Sequence, residues 1–258
     1  MISYYLLKIQ YLSLLYYDVL LLMNKFIIIL KLSLTFGVSI SPDNLLDSLR
    51  SAINQGNVKS KFEKSVVTSA QIKHTFKYEH FYESKTGNML VKYDDFVFLS
   101  NDNNKNFWIT FPQLSKIRKL LDNSIVQKVK GSDFTFEDFL EFKHLKEKNF
   151  VESKFSKERN NYLLILRAKP DFTSMYSKKE IYINKLSFLP DRVYYYKDDQ
   201  HIKTLVVTFK DSPNDLVIYD ELIMINHIDN SETIIKNIDT VFDYKFHKDI
   251  FNEKKLIK

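Results

Sequence analysis

Beyond residue 57 apolar and polar side chains exchange at every second position, the period of a pleated strand, instead of recurring every three or four residues. The alternation predicts strands over 59–72, 75–83, 89–93, 96–100, 107–111, 116–121, 150–155, 161–169, 179–184, 191–197, 202–210, 216–227 and 233–241. Polar turns separate several of them, at 85–88, 101–106, 197–201 and 228–231. Such short connections imply antiparallel neighbours, because parallel ones need crossovers of roughly a dozen residues. Helical spacing is confined to a few places. Leu45, Leu46, Leu49 and Ile53 line one face of 41–53, with Ser41 as cap, Pro42 at the first helical position and Gly56 as the stop. Further on, Asp138 follows Thr135 by three residues, a capping box that opens a short helix over 135–142. A single turn fits within 123–130, and a loop or one helical turn at 170–177.

Many strands are apolar on both faces. Leu163 and Ile165 alternate with Leu164 and Leu166; Leu205, Val207 and Phe209 flank Val206; Ile223 and Ile225 flank Leu222 and Met224. An antiparallel sheet with one wet face would show clean alternation. Something therefore covers the second face, yet helices are scarce. Two architectures meet that condition: a curved sheet around a few helices with apolar space between, or a filled sandwich.

Composition narrows the class. With 258 residues, 45% of them hydrophobic, the chain can bury one substantial core. Four Gly and five Pro exclude collagen-like, glycine-cradle and disordered classes. The absence of Cys excludes disulfides, thiolate metal sites and a lipid-anchored N-terminal Cys. Net charge is +6, to which the first 41 residues contribute three lysines and one aspartate. That mild excess suits a solvated mixed surface with weak attraction to anionic head groups, and no basic stripe marks a nucleic-acid partner.

Residues 1–41 are the most apolar part. Met23, Asn24 and Lys25 precede an apolar run over 26–40, with the small residues Gly37, Ser39 and Ser41 near its end, the layout of a secretory signal. That run is short of the roughly 20 residues a membrane-spanning helix needs. The expectation is a non-mature segment 1–41, with 1–22 an over-extended start, a signal from about Met23 and a single domain over 42–258. The rival is an N-terminal anchor.

No catalytic constellation or cofactor motif emerges: there is no G-x-S-x-G elbow, G-x-G-x-x-G, Walker loop or H-E-x-x-H. His74 and His80 share a strand face without a third ligand in view, so no metal is expected. Asp133, Glu137 and Asp138 form an acidic group that capping and favourable charge at a helix N-terminus explain without a metal. Arg118 and Lys119 either meet a ligand's polar end or pair with nearby acids. Tyr182, Tyr194, Tyr195 and Tyr196 either line a cavity mouth, dry at one end and wet at the other, or are simply good strand formers.

One stretch carries a more specific signal. Trp108, Ile109, Pro112, Leu114, Lys116, Arg118 and Lys119 are followed about a dozen residues later by Gly131, Ser132, Asp133, Phe134, Thr135, Phe136, Glu137 and Asp138. This paired pattern resembles the outer-membrane lipoprotein-sorting family, LolA-like, and the likeness extends loosely over 45–251 through Tyr182, Pro190, Arg192 and Tyr194 to Tyr196. The chain departs from the pattern in lacking a Pro-rich insert after 89–92 and an Arg shortly before Gly131.

The resemblance implies a mainly β (α+β) fold, a curved antiparallel half-barrel of about ten to twelve strands closed by a few helices around an apolar cavity. It implies a non-enzymatic periplasmic carrier, monomeric and soluble after signal cleavage, that ferries lipoproteins from inner to outer membrane. Its partners would be acylated lipoproteins, an ATP-driven inner-membrane release complex and an outer-membrane acceptor. The residues then expected against acyl chains are Trp108, Ile109, Phe111, Tyr182, Tyr194, Tyr196, Val206, Val207 and Phe209, with Pro112, Arg118, Gly131, Ser132, Asp133, Glu137 and Asp138 as family motif. The alternative is a lipid- or lipoprotein-sensing regulator, or an envelope-binding protein, of the same fold without shuttle activity.

Overall fold

The computed structural model describes residues 41–53, 56–101, 106–121, 124, 126–139, 150–157, 160–171, 173–210, 212 and 216–256. Residues Pro42–Lys258 form one compact unit. The signal and start expected in 1–40 lie outside the described residues, as does the end of the helix expected over 135–142.

Thirteen strands follow the alternation: β1 (Val58–Val67), β2 (Lys73–Glu83), β3 (Asn88–Lys92), β4 (Val97–Asn101), β5 (Asn106–Phe111), β6 (Lys116–Lys119), β7 (Phe150–Lys157), β8 (Asn161–Ala168), β9 (Lys178–Asn184), β10 (Pro190–Lys197), β11 (Gln200–Lys210), β12 (Ile218–Asn226) and β13 (Ser231–Phe242). Helix α1 (Pro42–Ala52) precedes them, burying Leu45, Leu46 and Leu49, and the single-turn α2 (Phe136–Phe139) falls between β6 and β7. All strands join one open, curved sheet in the order β6-β5-β4-β3-β2-β1-β13-β12-β11-β10-β9-β8-β7. Each half is an antiparallel meander, and the halves meet where β1 pairs with β13. The fold is the half-barrel expected, with more strands than the ten to twelve implied.

One segment read as a continuous strand, 59–72, ends earlier, since β1 stops at Val67. The chain turns at 68–72, where the Thr68 amide donates to the Ile72 carbonyl (3.0 Å) and Gln71 takes φ 61°. No Gly or Pro marks it, so alternation alone runs through. The β10–β11 turn likewise uses Asp198 and Asp199, both at positive φ, where a two-residue hairpin more often has Asn-Gly.

The pairing register sorts side chains onto two faces. One row runs through Lys64, Ile235, Leu222, Val207; beside it run Thr233, Met224, Leu205, Val193, Ile181 and Leu164. This inner face is almost wholly buried: Leu164, Ile181, Val193, Tyr195 and Met224 are 0% exposed, so it has the dryness of a core. The outer neighbours Leu163, Ile165, Tyr182, Tyr194, Val206, Ile223 and Ile225 are only half-buried.

The outer face of β2 to β5 is different, because the C-terminal segment 244–256 lies over it. Phe81, Leu90, Val97 and Leu99 form a buried cluster there, with Trp108, Tyr244, Phe246, Ile250, Phe251 and Leu256 packed against it. The rings meet edge to face, Tyr244 with Phe246 at 5.3 Å and Phe246 with Phe251 at 5.2 Å. Two-faced apolarity in this half is thus explained by the tail, an element the alternation does not reveal.

Candidate functional site

The motif loop 128–138 is fastened to the inner face by its acids. Its backbone first folds on itself. Lys128 bridges to Thr135, the Val129 amide donates to the Phe134 carbonyl (2.8 Å), and Gly131 turns the chain at φ 68°. A Cβ at Gly131 would meet nothing within 4 Å, so backbone conformation, not crowding, accounts for glycine there. Asp138 then caps α2: its carboxylate accepts from the Thr135 amide (2.7 Å), and its own amide donates to the Thr135 hydroxyl (3.3 Å).

Capping is only part of what these acids do. The Asp133 carboxylate, 3% exposed, accepts from Ser231 Oγ (2.7 Å), Thr233 Oγ1 (2.9 Å) and Asn226 Nδ2 (3.0 Å), groups on β12 and β13. Lys203 Nζ, on β11, donates to the Asp133 carbonyl (2.6 Å) and to the Tyr176 hydroxyl (3.2 Å). That hydroxyl in turn donates to Asp138 (2.8 Å), whose carboxylate lies 3.8 Å from Lys203 Nζ. Glu137 accepts from Ser174 Oγ (2.6 Å) and the Met175 amide (3.0 Å) and pairs with Lys179 of β9 at 3.3 Å. Asp133, Glu137 and Asp138 thus tie the loop to four strands and to the 174–176 connection.

Electrostatics show what the arrangement opposes. Burial pushes the Asp138 carboxyl above the usual carboxylate range, and the Lys203 ammonium pulls it back. Burial lowers Lys203 from the usual lysine range, while Asp138 and Asp133 restore it. Each charge is kept by the other. Lys64, also wholly buried, pairs with no acid among the described residues, although Asp95 is near enough to favour its charge. Its ammonium sits over the Phe76 ring (5.2 Å) and the Tyr93 ring (5.0 Å) and donates to the Val129 carbonyl at 3.4 Å. Burial and the nearby Lys130 lower it to about 8. Lys130 is itself paired with Asp95 at 2.6 Å.

The residues expected against acyl chains divide between the faces. Register places Ile109 on the inner face with Phe98, and Val207 there with Leu222; Phe111, two residues beyond Ile109, shares its face. Trp108 lies on the outer face with Leu99, under the tail, with Lys119 over its ring at 5.6 Å. Tyr182, Tyr194 and Tyr196 are outer and half-buried. Tyr182 meets Tyr194 at 5.4 Å, and Tyr196 donates to Glu180 (2.9 Å). Val206 is outer as well, and Phe209, beside the bulge between Thr208 and Phe209, stacks on Tyr219 at 5.2 Å. Of the motif residues, Ser132, Asp133, Glu137 and Asp138 come together, with Gly131 as their turn. Pro112 and Arg118 stand apart: Pro112 opens the turn after β5, and Arg118 is exposed on edge strand β6.

The partners of those acids, Tyr176, Lys179, Lys203, Asn226, Ser231 and Thr233, were not singled out in the sequence. Lys203 had a signal, since it shares the dry face of β11 with Leu205 and Val207. A lysine on such a face demands a buried acid.

No curated protein matches the sequence. A family model described as an uncharacterized protein matches residues 91–258. Among solved structures, the chain is similar to a candidate outer membrane lipoprotein-sorting protein domain from Vibrio parahaemolyticus, with TM-score 0.71 at 18% identity, covering 84% of this chain and 100% of that one. A DUF1329 family protein from Desulfovibrio piger gives TM-score 0.72 at 17% identity over 83% of this chain and 97% of its own. A LolA superfamily protein from Nitrosomonas europaea gives 0.63 at 14% identity over 83% and 98%. The chain therefore belongs to the family of uncharacterized proteins whose model spans its residues 91–258, and it has the LolA-like fold of outer-membrane lipoprotein-sorting domains.

Proposed function

We propose that this chain is a periplasmic carrier that receives the acyl chains of lipoproteins against the inner face of its sheet and passes them toward the outer membrane. The observation that supports the reading is the inner face itself, a continuous apolar row from β8 to β12 in a fold shared with lipoprotein-sorting domains. Ile109, Phe111 and Val207 are the expected contacts on that face. The outer set, Trp108, Tyr182, Tyr194, Tyr196 and Val206, belongs to other surfaces. Among the described residues no helix is long and apolar enough to cross a membrane.

Energetics shape the mechanism. Moving one methylene from water to an apolar site is worth about 0.8 kcal/mol, so long acyl chains taken from water would never leave. The cargo instead passes from bilayer to protein, apolar to apolar, and the step is nearly balanced. Extraction then falls to an ATP-driven inner-membrane complex, and release to an outer-membrane acceptor with the stronger site. Export through a signal within 23–41 completes the reading.

The test is competition for an apolar fluorescent probe bound to the purified chain. Acylated peptide is expected to displace it, and the same peptide without acyl chains is not. Equal displacement by both, or no probe binding, would remove the carrier reading and leave the fold.

A further inference from the structure

We propose that His201 and His227 form an acid-sensitive latch that governs how firmly the motif loop 128–138 stays on the sheet, independently of any cargo. The two rings lie 4.4 Å apart at one end of β11 and β12. His201 and Thr204 are three residues apart and would face opposite ways in a regular strand. A bulge brings them together: Tyr195 pairs with Lys203 and Tyr196 with His201, leaving Ile202 as the extra residue. The Thr204 hydroxyl then sits 3.0 Å from His201 Nε2 and 2.9 Å from His227 Nε2.

These distances place one proton. His201 Nε2 also lies 2.9 Å from the Lys203 carbonyl, which can only accept, so that nitrogen carries hydrogen. The Thr204 hydroxyl accepts from His201, and its oxygen, with two lone pairs and one hydrogen, also bonds His227 Nε2. A proton added to each ring would set two cations 4.4 Å apart, face to tilted face.

Neighbouring charges at His201 pull both ways, Glu180 favouring its proton and Lys178 opposing it. On β9, the Glu180 carboxylate is taken by Lys178 (2.8 Å) and the Tyr196 hydroxyl (2.9 Å), and Lys178 itself is a cation. β10 contributes only Tyr194 and Tyr196, with rings 4.9 and 5.3 Å from His201. In the β12–β13 turn, Asp229 is held by Lys128 at 2.5 Å, and β13 offers Glu232 farther along the outer face. Burial and His227 lower the His201 proton affinity accordingly.

The latch touches the loop through its immediate chain neighbours. The His227 amide donates to the Ile202 carbonyl (2.9 Å), joining the strand ends. The next residues, Lys203 and Asn226, are the ones that hold Asp133 on the other face. Separation of the strand ends therefore moves two of the groups that fasten the loop. Because the closed form resists protonation, acid favours the open one. Loop attachment is full above the ordinary imidazole range and weakens as pH falls through it.

Hydrogen exchange on the whole chain tests this. Between about pH 7.5 and about pH 5.5, after correction for intrinsic exchange, protection at the Val129, Asp133 and Phe136 amides is expected to fall about ten-fold, while the Leu164 and Ile181 amides keep theirs. The double variant His201→Gln, His227→Gln is expected to remove that dependence. Unchanged loop protection in the native chain, or the same fall in the folded variant, would overturn the proposal. So would a native-chain NMR titration in which both imidazoles gain protons as free imidazole does, a reading independent of how the variant folds.

Discussion

The loop and the tail lie on opposite faces of this sheet, and they are held by different means. The loop 128–138 is fixed by directional bonds between buried ionised and polar groups, with Asp133 alone accepting from three side chains. The tail 244–256 is fixed chiefly by rings and area: Tyr244, Phe246, Ile250, Phe251 and Leu256 cover an apolar cluster, with the half-buried Lys59 over the Phe81 ring and bonds from Asn101 and to Asn57 as lesser ties. Directional fastening sets one position and fails sharply when one group is lost. Area fastening tolerates shifts and fails in proportion to the surface removed.

The sharpest way to break this contrast is Lys203→Met, which strands Asp138 without its cation and is expected to cost about 3 to 5 kcal/mol in urea unfolding. The exposed pair Lys236–Glu221, at 3.0 Å, serves as comparison, and Lys236→Met is expected to cost about 0.5 kcal/mol or less. Equal costs would mean that the buried network is not what fastens the loop. On the other face, Phe251→Ala is expected to cost about 2 kcal/mol, independent of pH. It should also shift the emission of Trp108, the single tryptophan and a neighbour of the same cluster, toward the red. An unshifted spectrum would show that the tail does not shield that ring.

Lys64 sharpens the comparison from the opposite side, as a buried cation that no described acid pairs with directly. Its proton affinity is lowered from 10.5 to about 8, so the folded chain loses the proton first. Below about 8 both states carry it and the cost of burial is fully present; between about 8 and 10.5 the cost disappears as pH rises. Lys64→Met is therefore expected to stabilise the chain at neutral pH by about 1 to 2 kcal/mol, less than the whole shift because the Val129 bond and ring contacts are lost with it. The gain should vanish near pH 10.5. A destabilised variant at pH 7 would show that those contacts outweigh burial.

The same contrast explains what could be read from the sequence. Strands were legible because burial on a pleated sheet writes itself at period two, and the capping box because Thr135 and Asp138 bond locally. The partners of Asp133 were not, since Ser231, Thr233 and Asn226 lie some hundred positions away and ordinary polar residues at hairpin ends carry no mark. The tail was illegible for another reason: its apolar residues follow neither period, because a segment packed by area, with one 3-10 turn at Glu253–Lys255, has no repeat to show. Alternation also could not say which face of each strand is inner. Register did, and it separated Ile109 and Val207 from Trp108 and Val206.

The account stands on the inner face being the one that receives acyl chains, and neighbouring residues of β11 test it directly. Val207 is inner and 4% exposed; Val206 is outer and half-buried. The measurement is the affinity for an acylated peptide of Val207→Glu and Val206→Glu, each confirmed folded by its thermal transition. The expected result is a loss of about ten-fold or more in Val207→Glu and little change in Val206→Glu, which can turn its charge to water. Equal loss in both, or a loss confined to Val206→Glu, would contradict the account.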